Sequence, residues 1–127
     1  MIYNNVLEFI GHTPMVRLNH MVDEDSAQVL VKFEGLNVGG SIKTRTAYEM
    51  IKAAEAEGKI NKDTIIVEPT SGNQGIGLAL VGAVKGYKTI IIFPSNSVIF
   101  YWDAILRVYI KICITRPTAA TIHPDRK

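Results

Sequence analysis

The sequence predicts a three-layer α/β fold around an open parallel sheet, and three stretches carry that prediction. Thr64–Val67 and Lys88–Pro94 are short apolar runs rich in β-branched residues, which is the pattern of strands in a covered parallel sheet. Between them, the apolar positions of Ile76–Val84 surround a helix nearly completely, so this helix must be buried on more than one side. A strand, a helix and a strand with short joins form a βαβ unit with parallel strands.

Length and charge bound the possible functions. The chain has 127 residues, which suits one ordinary domain, and its 47% hydrophobic content supports a core and excludes a disordered chain. Its 14 basic and 12 acidic residues give a net charge of +2, too balanced for a nucleic-acid-binding surface. Function must therefore come from a local site.

Other features indicate a cytoplasmic protein without a metal. The single cysteine, Cys113, has no partner for an internal disulfide, and Met1–Glu8 lacks the pattern of a signal peptide. The apolar tract Val98–Ile114 contains three charged residues and is too short for a membrane span. His12 and His20 have no further ligands at metal spacing, so we expect no metal site.

The N-terminal third predicts one short helix and two strands. Asn4 or Asn5 can cap a helix that Gly11 ends, and a brief strand follows around Met15–Leu18. Apolar and polar residues alternate in Gln28–Glu34, which predicts a second, half-buried strand.

A longer helix is predicted to follow Lys43. Its apolar residues recur at helical spacing, its charged residues fall on the other side, and Gly58 is the expected end. The apolar positions are Ala47, Tyr48, Ile51 and Ala54.

Lys43 occupies an unusual place, in the first turn of this helix and directly after a flexible turn. Gly39 and Gly40 allow close approach of a ligand to the backbone, and Ser41 is a good N-cap. The free N–H groups and positive dipole of a helix start disfavour an ammonium ion, so they favour a neutral, nucleophilic amine. The alternative is a solvated surface lysine.

The loop Thr70–Gly77 predicts an anion site. N–H groups at a helix start attract anions, and the loop's polar side chains add donors, so a carboxylate is the natural ligand. The alternative is a glycine-rich turn that only lets the helix pack. The glycine spacing does not match the dinucleotide fingerprint, and a P-loop needs glycine where Ile42 stands.

Three stretches in order, Gly11–Leu18, Gly39–Ala47 and Glu68–Gly77, resemble the cysteine synthases (O-acetylserine sulfhydrylases), members of the fold type II family of pyridoxal 5'-phosphate (PLP) enzymes. The likeness runs from about Asn4 to Pro94. It implies the N-terminal part of that fold. Residues 1–35 would belong to the larger lobe, residues 36–94 would form the core of the smaller lobe, and residues 95–127 would form a divergent tail.

The resemblance also implies roles for individual residues. Lys43 corresponds to the lysine that binds PLP covalently and later acts as a base, and Asn73 to the asparagine that bonds the cofactor's ring hydroxyl. The residues implied to hold the substrate carboxylate are Thr70, Ser71, Gly72, Asn73 and Gln74. The implied reaction is β-replacement, in which sulfide displaces acetate from O-acetylserine to give cysteine. Implied partners are an amino-acid substrate, a second copy in a homodimer, and the C-terminal tail of serine acetyltransferase.

Three residues depart from the family pattern. Val38 stands where proline is usual, Thr44 where aspartate is common, and Gln74 where threonine is common. None removes the implied chemistry, although Gln74 bears on substrate preference.

Beyond Pro94 the motifs end. Ile99–Ile114 fits a helix with a narrow polar stripe, whereas Val108–Thr115 equally fits an alternating strand, and the residues after Thr115 suggest a loose terminus. The loop that cradles the PLP phosphate in the family has no counterpart in this sequence. Two hypotheses follow: a truncated enzyme part that is active only when another chain completes it, and a non-catalytic remnant or interaction module.

Overall fold

The structure, a computed structural model, describes residues 2–94 and 110–115. It begins with a short 3₁₀ helix at Val6–Phe9. The Asn5 side chain accepts a hydrogen bond from the Leu7 N–H at 2.9 Å, which confirms the predicted cap. Gly11 follows with a φ of 87°, in the left-handed region that favours glycine, and turns the chain toward the first strand.

Strands β1 (Met15–Arg17) and β2 (Leu30–Lys32) form an antiparallel ribbon in which Val16 lies opposite Val31. Backbone bonds from Leu18 to Val29 and from Phe33 to Pro14 extend it at 3.1 and 2.9 Å. All six strand residues are exposed. The prediction of a half-buried strand is therefore wrong, because no other described element covers either face of the ribbon.

Helix α1 spans Lys43–Ala56 and follows a second 3₁₀ helix at Glu34–Leu36. As predicted, its buried face includes Ala47 and Ile51. Gly58 follows the helix end with a φ of 67°. Within residues 2–94 and 110–115, no helix has the length and apolar character needed to cross a membrane.

The predicted βαβ unit is present. Strands β3 (Ile65–Pro69) and β4 (Lys88–Pro94) run parallel, with Val67 opposite Ile90, and helix α2 (Asn73–Lys85) connects them. The bounds of β4 are those predicted from the sequence. Gly86 ends α2 with a φ of 83°.

Strand β5 (Ile110–Thr115) pairs parallel with β4, which gives the order β3-β4-β5. Of the two interpretations of this stretch, the structure therefore shows the strand for residues 110–115. The predicted helix over residues 99–109 and the predicted loose terminus over residues 116–127 lie outside the described residues.

Helix α2 packs against both α1 and the sheet, as its apolar surface predicted. One buried cluster joins α1 to α2 and the N-terminal 3₁₀ helix, and consists of Leu7, Ala47, Ile51, Leu78, Val81 and Tyr87. A second joins α2 to β4 through Ile76, Ile91 and Phe93. Ile65 and Val67 on β3 remain about half exposed, so the described residues cover this strand on one face only. The expectation that β3 is covered on both faces is thus not met within the described part.

Candidate functional site

Lys43 is the first residue of α1, and its side chain is exposed. Its N–H donates to Ser41 Oγ at 3.1 Å, so Ser41 supplies a capping hydrogen bond. The N-cap position itself is Ile42, one residue later than predicted. Gly39 and Gly40 have φ values of 80° and 75°, in the left-handed region that favours glycine.

Thr44 ties that turn to the helix. Its side chain is fully buried, and its hydroxyl donates to the Val38 carbonyl. A Cβ atom at Gly39 would lie 2.7 Å from Thr44 Oγ1, so a side chain cannot fit there. Thr44, one of the three departures from the family pattern, therefore has a structural role in this chain.

The starts of α1 and α2 lie side by side because of Gly77. A Cβ atom at this position would be 3.0 Å from the Lys43 carbonyl oxygen, 3.0 Å from Ala47 Cβ and 3.1 Å from Thr44 Cα. Gly77 lies one helical turn after Asn73, the first residue of α2. The backbone of the predicted PLP lysine is thus packed next to the first turns of the helix that carries the predicted carboxylate loop.

The carboxylate loop has an ordered backbone. The Thr70 N–H donates to the Ile92 carbonyl at 3.0 Å, and the Gly72 N–H donates to Thr70 Oγ1 at 3.2 Å. Within the described ranges, the Asn73 and Gln74 N–H groups have no protein acceptor. Such groups at a helix start favour an anion.

The side chains of this loop do not all turn the same way. Ser71 and Asn73 are exposed, whereas Thr70 is partly buried and already accepts from Gly72. The Gln74 amide nitrogen lies 3.6 Å from Met50 Sδ on α1 and donates to it. In this arrangement the backbone of Gln74, rather than its side chain, is open to a carboxylate.

Sequence reasoning missed an ion pair beside this site. Arg45 binds Glu34 through two hydrogen bonds, from Nε to Oε2 at 2.8 Å and from Nη2 to Oε1 at 2.7 Å. Hydrogen bonding from Arg45 and then from Thr13 lowers the pKa of Glu34 to about 2. No sequence pattern pairs these residues, because they lie 11 positions apart across a loop.

A second ion pair joins the C-terminal ends of α1 and α2. Lys85 donates to Glu55 at 2.6 Å, and the Tyr87 hydroxyl donates to the same carboxylate at 2.9 Å. The bond from Lys85 lowers the pKa of Glu55, while burial raises the pKa of Tyr87. This end lies three turns from Lys43 along α1 and serves packing.

Fold and site together define an α/β protein with an exposed lysine at the start of one helix and open N–H groups at the start of the adjacent helix. The chain belongs to the family of pyridoxal-phosphate dependent enzymes, whose profile matches residues 6–111. This confirms the resemblance drawn from the three motifs.

Individual relatives agree. The cysteine synthase of a Flavobacterium species is 54% identical over 94 residues, which are 74% of this chain and 30% of that protein. A cystathionine beta-synthase from Dictyostelium discoideum is 48% identical over 125 residues, 98% of this chain and 25% of that protein. A hydrogen sulfide-producing enzyme from Fusobacterium nucleatum has a solved structure that matches with a TM-score of 0.80 and 42% identity, over 93% of this chain and 39% of that one.

These matches set the extent of the likeness. The chain spans 30% of the cysteine synthase and 25% of the cystathionine beta-synthase. The match to the family profile extends to residue 111, and the alignment with the cystathionine beta-synthase covers 125 residues of this chain. The similarity therefore continues past Pro94, where the three motifs end.

Proposed function

We propose that this chain carries the amine and carboxylate-binding part of a cytoplasmic, PLP-dependent cysteine synthase site. The reaction is the replacement of acetate in O-acetylserine by sulfide. The observation that carries the proposal is the placement of Lys43 at the start of α1: its side chain is exposed, and its backbone packs against Gly77, one turn after the open N–H groups of α2. The similarity to a cysteine synthase at 54% identity supports the choice of reaction.

The chemistry of the available donors fits two parts of the cofactor. PLP presents an aldehyde, a ring hydroxyl and a phosphate. The exposed Lys43 amine suits the aldehyde, and the exposed Asn73 amide suits the hydroxyl. The resemblance assigns the phosphate cradle to a part of the family fold that lies beyond the three motifs.

Each residue of the site then has a task. PLP, when bound, supplies the electron sink that stabilises negative charge at the substrate α-carbon. The N–H groups of Asn73 and Gln74 hold the substrate carboxylate, and the Ser71 hydroxyl adds a donor. Lys43 Nζ, once free, accepts the proton from the α-carbon. The protein thus orients the amino acid and moves one proton.

Reductive trapping tests the role of Lys43. The purified chain is incubated with PLP, reduced with borohydride and mapped by peptide mass spectrometry. We expect the pyridoxyl group on Lys43 and its loss in Lys43→Ala. Lys62→Ala is the matched control, because Lys62 is also exposed and has no ion pair among the described residues. Equal labelling of Lys43 and Lys62 would contradict the proposal.

O-Acetylserine tests the carboxylate loop. If α2 holds the substrate carboxylate, adding O-acetylserine shifts the absorbance band of the PLP-loaded chain. The shift should require a higher O-acetylserine concentration in Ser71→Ala and Asn73→Ala. An unchanged concentration dependence in both variants would exclude the Ser71 and Asn73 side chains from substrate binding.

The open N–H groups of α2 also support a second candidate, a non-catalytic module that binds the carboxyl terminus of a protein. The implied partner is the C-terminal tail of serine acetyltransferase. A synthetic tail peptide should bind with a free carboxylate and not as the C-terminal amide. Peptide binding without PLP trapping at Lys43 would favour this module over the enzyme.

A further inference from the structure

We propose that Glu34 and Arg45 are positioning residues for Lys43. Their ion pair holds the first turn of α1 against the turn at residues 11–13 and so fixes the backbone from which the Lys43 side chain extends. The importance of that amine rests on the proposed function, but the ion pair can be tested without any cofactor.

The Glu34 carboxylate is saturated with donors. Oε1 accepts from Arg45 Nη2 at 2.7 Å and from Thr13 Oγ1 at 2.7 Å. Oε2 accepts from Arg45 Nε at 2.8 Å and from Asn37 Nδ2 at 3.1 Å. The two-pronged contact fixes the orientation of the guanidinium as well as its distance.

The same residues hold the turn at Gly11. Arg45 Nη2 donates to the Gly11 carbonyl at 2.8 Å, and the Gly11 N–H donates to Asn37 Oδ1 at 3.0 Å. That Asn37 oxygen also accepts from the Val38 N–H at 3.0 Å. A Cβ atom at Gly11 would collide with the guanidinium. Three separate segments of the chain are therefore joined by one hydrogen-bonded network.

Helix geometry transmits this network to Lys43. Successive residues on a helix point about 100° apart. Thr44 is buried against Val38 and Arg45 is bound to Glu34, so two directions around the first turn are fixed. The Lys43 side chain is on the exposed side of the helix, and the Lys43 N–H donates to Ser41 Oγ. The position of the Lys43 backbone is therefore fixed while Thr44 and Arg45 keep their contacts.

The chain provides a matched control for this pair. Glu55 and Lys85 form an ion pair of similar length and similar exposure at the other end of α1. Glu55→Gln therefore weakens a comparable interaction on the same helix while leaving the first turn intact. Lys62, which is exposed, serves as the reference amine within each sample.

The experiment is trace acetylation of the purified chain with acetic anhydride, followed by mass spectrometry of the peptides that contain Lys43 and Lys62. It compares the wild type with Glu34→Gln, Arg45→Lys and Glu55→Gln. The glutamine keeps the shape of Glu34 without its charge, and the lysine keeps the charge of Arg45 without its two-pronged geometry. Amide hydrogen exchange over residues 11–13 and 43–46 is recorded in parallel.

We expect Glu34→Gln and Arg45→Lys to move the Lys43/Lys62 ratio about threefold away from its wild-type value and to accelerate exchange in both segments. Glu55→Gln should leave the ratio unchanged. Faster exchange with an unchanged ratio would show a merely structural pair and overturn the proposal, as would an equal change in Glu55→Gln.

If circular dichroism shows that both variants are unfolded, Thr13→Val provides a second test. This substitution removes one Glu34 donor and keeps the ion pair, and it must move the ratio in the same direction. An unchanged ratio in that variant would also overturn the proposal. Failure of PLP trapping would count against the proposed function alone.

Discussion

Gly77 of α2 lies directly against the Lys43 carbonyl of α1. A Cβ atom at position 77 would be 3.0 Å from that oxygen, closer than nine in ten real Cβ contacts. The two helix starts can approach this closely only because no side chain separates them. Packing therefore couples the predicted PLP lysine to the predicted carboxylate loop.

We predict that Gly77→Ala forces the helices apart. The added methyl meets the backbone of Lys43 and Thr44, which cannot rotate away, and we expect a loss of about 1–3 kcal/mol in the free energy of unfolding. Urea denaturation measures this loss, and PLP trapping at Lys43 should fall with it. Gly35→Ala is the control, because a Cβ atom there meets only the Phe33 ring at 3.4 Å. Equal losses in the two variants would argue against a special contact at Gly77.

A second prediction concerns the hydroxyl of Thr44. Thr44→Val keeps the buried shape and leaves the Val38 carbonyl without its donor, which should cost about 1–2 kcal/mol. Amide exchange at Gly39 and Gly40 should accelerate in this variant. Thr44→Ser retains the donor and should keep the wild-type exchange rates at these glycines. Identical exchange in both variants would mean that the hydroxyl does not hold the loop.

The low pKa of Glu34 predicts how the free energy of unfolding changes at acidic pH. Its pKa is lowered from an ordinary value of 4.5 to about 2 in the folded protein, chiefly by hydrogen bonding to Arg45. The stability that it contributes is therefore fully present above about pH 4.5 and is lost as the pH falls toward 2. The difference in unfolding free energy between wild type and Glu34→Gln should shrink over this range.

Urea denaturation at several pH values between 6 and 2 provides the measurement. Glu49→Gln, which removes an exposed pair with Lys52, is the control and should give a small difference throughout. A Glu34 difference that is constant with pH would exclude the ion pair as its source.

The exposed ribbon of β1 and β2 predicts self-association. Val16 and Val31 face each other in register and remain exposed, at 48% and 38%, although apolar residues of a strand are normally covered. The double substitution Val16→Thr and Val31→Thr should shift the sedimentation profile toward the monomer at high protein concentration. Ile2→Thr removes a more exposed apolar side chain elsewhere and should have little effect. The same profile for both proteins would assign the association to another surface.

Local patterns explain what could be predicted from the sequence. The βαβ unit, the glycine ends of both helices and the place of Lys43 depend on residues close together in the chain, so periodicity and turn chemistry reveal them. The bounds of β4 were predicted without error for the same reason.

Features that depend on distant residues could not be predicted. The Glu34–Arg45 pair and the contact of Gln74 with Met50 join different elements, and no regular spacing of residues in the sequence indicates them. The exposure of β2 also had no local signal, because burial depends on what lies above a strand rather than on its own alternation.

The crowded first turn of α1 also has a practical meaning for protein engineering. Gly39 and Gly77 have no room for a side chain, whereas Ser71 and Asn73 stand open to solvent. A combinatorial library aimed at new ligand preferences should therefore hold the glycines constant, keep Asn73 for the cofactor and randomise Ser71, whose exposed side chain can change without disturbing the packing.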